Sequence, residues 1–157
     1  MLQLRSSAFS DRGEFPEEYT CEGQNYSPPL SWQDVPEEAE SLALVLDDPD
    51  APSGTFTHWI IYNIPPLREG FPEGFSPGVE TSEGIREGRN DAGNVRYDGP
   101  CPPTADDAHR YHFRLYALDT TLDLAPGANR SQFFDMIHDH VVDETELVAG
   151  FGRTVGL

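Results

Sequence analysis

The sequence contains no lysine. All ten of its basic residues are arginine, set against 28 acidic ones, for a formal net charge of −18 and a pI near 4.3. A chain so poor in cations has no basic stripe with which to release phosphate counterions, which argues against nonspecific DNA or RNA binding. The acids run from Asp11 to Glu146 rather than gathering in one patch. Such a surface repels itself in dilute buffer and is screened at high salt, so we read the composition as halophile-type, suited to a salt-rich cytosol. No apolar run approaches the roughly 18 residues a membrane-spanning helix needs. The start of the chain, Leu2-Gln3-Leu4-Arg5-Ser6, has neither the basic segment nor the apolar stretch of a signal peptide. A cytoplasmic protein without integral membrane association is therefore expected. Cysteine occurs only at 21 and 101, which excludes a disulfide framework or a four-cysteine zinc site. Two buried free thiols are expected, with a single Cys21–Cys101 bridge as the alternative.

What is present points to β-structure. The 14 glycines and 14 prolines imply many turns, and Leu, Ile, Val and Phe, at about 22% of the chain, allow only a modest core. The length fits one domain, residues 1–157, with no repeat or linker dividing it. Residues 42–46 (LALVL) and 57–64 (THWIIYNI) read as buried strands. In 111–118, Tyr111, Phe113, Leu115 and Ala117 alternate with His112 and Arg114, as in a half-buried strand. A glycine-weakened strand is expected over 147–155. One helix is expected over 131–142, with Phe133, Ile137 and Val141 on one face and Asn129 or Ser131 as its cap. Residues 65–104, dense in Gly, Pro, Glu and Asn, read as long surface loops, where function often resides.

Two clusters could carry chemistry. The first is DDPDAP at 47–52, where Pro49 and Pro52 stiffen the strand end that carries Asp48 and Asp50, followed by His58. Taken alone it reads better as turn chemistry, with carboxylates bonding nearby amides. The second is YDGPCPP at 97–103, with His109 and Tyr111 beyond it. Gly99 permits close backbone approach or a positive φ, and the prolines leave the Gly99 and Cys101 amides as a candidate anion cradle. Here the plainer alternative is that His109 and Tyr111 merely fill a strand edge.

Read in order, YTCEGQNYSPPLSW (19–32), DDPDAP, THW, YNIPP, GRNDAGNVRYDGPCPP, HRYHFRLYALD and ELVAGFGR (146–153) resemble the phosphatidylethanolamine-binding protein family, in its bacterial and archaeal branch often called Raf kinase inhibitor-like. The resemblance spans nearly the whole chain. It implies a mainly β fold, a β-sandwich of antiparallel sheets with one or two short helices. It implies a pocket for phosphate-bearing head groups and similar small anions, formed by Asp48, Asp50, His58 and His109, with Tyr97, Gly99, Cys101 and Tyr111 around it. No cofactor is implied. Animal members also inhibit kinases, and small prokaryotic members are sometimes dimeric. Phe71 and Phe75 are candidate homodimer contacts, or a loop tucked onto the sandwich. An aspartate near an imidazole favours its charged form, so Asp48 is expected to keep His58 or His109 protonated. The chain departs from the family pattern at Ala92, where an aromatic is common, at Phe56, where many members have tryptophan, and at TADDA (104–108), which sets Asp106 and Asp107 beside the pocket mouth. With the chain ending at Leu157, the C-terminal helix that lids the site in animal members is expected to be missing.

The principal expectation is a non-enzymatic module that binds a small phosphate-like anion, in a regulatory or inhibitory role. Its rival is a hydrolase using the Asp/His group for acid/base chemistry, for which no G-x-S-x-G elbow supplies a nucleophile. A metal site is a weaker rival. His109 and His112 fall on opposite faces of a strand, and His138 and His140 diverge on the expected helix. A docking module for an unidentified protein partner is the last.

Overall fold

Ser41–Asp48 forms a strand whose every residue is buried, because the sheet at whose centre it lies is covered on both faces. The structure, a computed structural model, describes residues 1–104 and 106–153. In chain order the strands are β1 (Gln3–Arg5), β2 (Gly13–Glu14), β3 (Leu30–Gln33), β4 (Ser41–Asp48), β5 (Phe56–Ile64), β6 (Gly70–Phe71), β7 (Arg86–Glu87), β8 (His109–Leu118) and β9 (Val141–Phe151). They form a three-stranded sheet, β1-β3-β6, and a six-stranded sheet, β2-β9-β8-β4-β5-β7. All pairings are antiparallel except β2–β9, which is parallel. The fold is thus mainly β, as expected, with one mixed edge.

Alternation on β4 and β8 makes two cores. Leu42, Leu44 and Leu46, with Tyr111, Phe113 and Leu115, face the small sheet and its Leu4, Trp32 and Phe71. Ala43 and Val45, with Tyr116 and Leu118, face helix α1 (Arg130–Ile137), which contributes Phe133 and Ile137. The α1 start is held by a capping box: the Asn129 side chain accepts from the Gln132 amide, and Gln132 Oε1 accepts from the Asn129 amide, each at 2.9 Å.

The helix stops at Ile137, short of the expected 142, because from Val141 onward the chain pairs with β8, Leu118 opposite Val141. The ladder along β8 outweighs continuation of the apolar helix stripe. Accordingly β9 begins six residues earlier than expected, His138 and His140 lie between the two elements, and residues 154 and 155 of the expected strand fall outside the described residues. Phe71 is buried against Trp32, and Phe75 stacks on it at 4.4 Å between centroids. That loop is tucked onto the sandwich, the second of the two placements expected for these rings, with Phe75 partly buried against the core.

The long stretch 65–104 is anchored rather than loose. Buried Glu87 accepts from Trp59 Nε1 (2.7 Å), Ser76 Oγ (2.7 Å) and the Gly78 amide (2.6 Å), while Ser76 Oγ accepts from the Tyr97 amide (2.9 Å). Both carboxylate oxygens meet donors. In Glu87→Gln the amide NH2 must face one of them, so a loss of about 1–3 kcal/mol is expected, read as a lowered urea midpoint at unchanged slope. An unchanged midpoint would show that these bonds do not anchor the loop.

Candidate functional site

A pocket of about 320 Å3 opens at the ends of β4, β5 and β8. Its polar wall comes from strand geometry. On β4 the alternation that buries Leu44 and Leu46 under the small sheet sends Asp48 to the same side, at the end of the core, and Asp47 to the other. There Asp47 Oδ1 accepts from Thr57 Oγ1 (2.8 Å) and Arg130 Nη1 (2.6 Å). On β8 the same alternation places His109 and Tyr111 beside Asp48, whereas His112 turns away to Glu146.

His58 reaches this wall through a bulge. Leu46 pairs with Trp59 but Asp47 pairs with Thr57, so His58 is the extra residue of β5. Trp59 then lies in the core under the small sheet while Thr57 meets Asp47 on the opposite face. The bulge re-aims His58 toward Tyr111, with rings 5.5 Å apart edge to face. His58 Nδ1 lies 2.8 Å from the Asp98 carbonyl, which can only accept, so the proton sits on Nδ1 and Nε2 offers a lone pair. Burial pushes the His58 pKa down, against the opposing pull of the Asp98 carbonyl and nearby carboxylates, and the ring is neutral.

His109 behaves oppositely. Its Nδ1 is 2.6 Å from Asp48 Oδ2 and its Nε2 is 3.0 Å from Asp106 Oδ2. Burial alone would lower its pKa, but the hydrogen bonds and charges of Asp48 and Asp106 outweigh that and raise it. Of the two histidines expected near Asp48, His109 is therefore the charged one. The Tyr111 hydroxyl is buried and has no hydrogen-bond partner among the described residues. Burial first, then the charge of Asp48 and its hydrogen-bonding pull, pushes its pKa far up, so it remains a donor, with the Asp48 carboxylate close by but outside hydrogen-bond geometry.

Of the residues singled out from sequence, Asp48, His58, Gly99, Cys101, His109 and Tyr111 line this one pocket. Asp50 does not: its carboxylate accepts from the Arg110 amide at 2.9 Å and faces an outer groove shared with Asp106 and Asp107. Tyr97 stands behind the wall, its hydroxyl donating to the Tyr19 carbonyl at 2.6 Å and its ring edge-on to Trp59. Gly99 is needed for close approach, since a Cβ there would lie 2.1 Å from the Tyr19 carbonyl oxygen. Its amide already donates to Asn25 Oδ1 at 2.9 Å, so it is not free to meet an anion. The two cysteines are not buried thiols. Cys21 and Cys101 are exposed and joined in a disulfide at the rim, because the 19–25 and 97–101 loops face each other across the pocket edge.

Sequence reasoning missed Asn25, Asp98 and Asn90. Asn90 Nδ2 donates to the Arg96 carbonyl (2.9 Å) and to Asp98 Oδ2 (2.7 Å), while its Oδ1 accepts from the amides of Ala92 and Asn94. It organises the loop that presents Asp98 to His58. Their signal lay in the quoted motifs QNY, GRND and YDGP, but which atom meets which is a tertiary matter. A larger groove of about 720 Å3 along residues 3–11 and β9 holds no buried titratable group. Among the described residues, no group of three or more His, Cys, Asp and Glu is arranged to hold a metal ion, and no helix is long and apolar enough to cross a membrane.

Fold and pocket together define a small two-sheet β protein with a ligand-sized cavity at its strand ends. The chain belongs to the phosphatidylethanolamine-binding protein family, whose model matches residues 5–152. It is 50% identical to a UPF0098 protein of Methanothermobacter thermautotrophicus, over 97% of this chain and 99% of that one. Among solved structures, a putative phosphatidylethanolamine-binding protein homologue of Chlamydia trachomatis is similar at 38% identity and a TM-score of 0.87, covering 97% of each chain. YbcL of E. coli superposes at a TM-score of 0.91 with 28% identity, covering 98% of this chain and 99% of its own.

Proposed function

We propose that this chain is a non-enzymatic receptor for a small phosphate-bearing ligand, a phospho head group, phosphometabolite or phosphorylated side chain, acting as a regulatory or inhibitory module. The observation that carries the reading is the Tyr111 hydroxyl, buried without a hydrogen-bond partner among the described residues, in the wall that also presents His58 Nε2. A buried polar group left unpaired costs about 1–3 kcal/mol, which a ligand oxygen accepting from it recovers. His58 Nε2 needs the reverse, a donor. A monoprotonated phosphate supplies both, one oxygen accepting from Tyr111 and its P–OH donating to His58.

Hydrolysis fits less well. Each His109 nitrogen faces a carboxylate, and Cys101 has no free thiol. Turnover of p-nitrophenyl phosphate that disappears in His58→Ala would reverse the ranking.

The pH dependence is the test. The second ionisation of a phosphate monoester lies near pH 6, and a bound proton is required either on the ligand or on His58. Affinity for methyl phosphate is therefore expected to fall roughly tenfold per unit as pH rises above about 6.5. Calorimetric titration at four values between pH 5.5 and 8.5, in multimolar KCl to suit the acidic surface, would show this slope. A flat profile would refute the account.

A further inference from the structure

We infer that Asp106 is a built-in competitor for the pocket: its carboxylate occupies the His109 Nε2 proton that an incoming oxyanion needs, and the ligand enters by displacing it. The inference rests on the receptor reading above and names a residue that sets its affinity and anion selectivity. His109 is held between two carboxylates of different standing. Asp48 is a fixed partner, 2.6 Å from Nδ1, with both side chains only 5% exposed. Asp106 is 3.0 Å from Nε2 with its side chain 35% exposed, so it exchanges with solvent at far lower cost.

Two carboxylates on one imidazolium leave an excess negative charge, and a phosphate arriving while both remain would add to it at close range. Asp106 and the phosphate are thus alternatives for one donor. The His109 ring lies nearly parallel to that of Tyr111, 29° between planes, in the same pocket wall. Asp106 borders the outer groove rather than this pocket, so a ligand that enters between His109, Tyr111 and His58 gains contacts Asp106 does not make. Asp106 also has somewhere to go. It borders the outer groove lined by Asp50, Asp107 and Arg110, and the exposed Arg110 guanidinium provides a counter-charge there. Its amide is turned back on the Pro103 carbonyl at 3.1 Å, which lets the side chain swing while the backbone stays.

Inorganic phosphate is the probe, titrated at pH 6.0 into wild type, Asp106→Ala, Asp106→Asn and Asp107→Ala, with heteronuclear spectra reporting both the fold and the His109 ring nitrogens. The expected result is at least tenfold tighter binding in Asp106→Ala and Asp106→Asn, and less than threefold change in Asp107→Ala, which removes the same charge without touching His109. The wild-type Nε2 resonance is expected to move on saturation toward its position in phosphate-bound Asp106→Ala. Equal or weaker binding in both Asp106 variants, alongside a wild type that binds, would overturn the competitor and leave the receptor reading standing. An equal gain in Asp107→Ala would also overturn it, as a general charge effect. No binding by any folded variant at tens of millimolar would overturn the receptor reading and the competitor together.

Discussion

Asp48→Ala is expected to cost about 3–5 kcal/mol of stability below neutral pH, because it removes one half of a buried ion pair and leaves the other. Asp48 and His109 are each almost fully buried and 2.6 Å apart, so the imidazolium left behind has only the half-exposed Asp106 to balance it. The pH dependence follows from the direction of the shift. Burial would lower the His109 pKa, yet its bonds to Asp48 and Asp106 raise it above the ordinary value. A group whose pKa is higher folded than unfolded stabilises the fold fully below the unfolded value, near 6.5, and that contribution is lost as pH rises through the folded value. Denaturation at pH 5.5 should therefore separate wild type from Asp48→Asn by more than denaturation at pH 8.5. Asp48→Asn keeps a side chain of the same size and so isolates the charge. Equal separations at the two pH values would mean that His109 is not the imidazolium. Binding of methyl phosphate should fail in Asp48→Ala even where the fold persists, since His109 would then lose its orientation.

The parts of this site that were legible in the sequence are those set by side-chain alternation. The run 42–46 and the alternating 111–118 predict β4 and β8 because burial on two faces, or on one, leaves a direct pattern, and those two strands deliver Asp48, His109 and Tyr111. What was illegible depends on pairing between distant segments. The bulge that turns His58 into the pocket is an offset between β4 and β5, and nothing in THWII marks one residue as extra. Residues 141 and 142 read as a helix end and 143–146 (DETE) show no apolar period, yet the β8 ladder makes all six strand. β1 and β2, at three and two residues, are too short to carry a period. The Gly99 amide looked free for an anion because its partner, Asn25, lies 74 positions away. Asp106 was visible as an acid three residues before His109, placed only beside the pocket mouth. The geometry makes it a direct hydrogen-bond partner instead.

Removing the Cys21–Cys101 bridge is expected to lower stability by about 4 kcal/mol while leaving the pocket in place. The bridge closes a segment of 80 residues, and in the chain-entropy account a loop of that length restrains the unfolded state by about 4.5 kcal/mol. For a domain of this size that corresponds to a fall in Tm of roughly 10 °C. The double variant Cys21→Ser, Cys101→Ser and the reduced wild type should melt together, both well below the oxidised protein. Agreement between them would assign the loss to the cross-link and not to the serines. The pocket should survive because the two loops are joined three further times. The Cys21 amide donates to the Pro100 carbonyl (3.1 Å), the Gly99 amide to Asn25 Oδ1 (2.9 Å), and the Tyr97 hydroxyl to the Tyr19 carbonyl (2.6 Å). These bonds act in the folded state, where the position of the Asp98 carbonyl against His58 is set, whereas the cross-link acts mainly on the unfolded chain. Affinity for methyl phosphate at a temperature well below both transitions should therefore change less than threefold. A collapse of affinity in the folded double variant would mean that the disulfide itself shapes the pocket wall, and that the redox state of the compartment governs binding as well as stability.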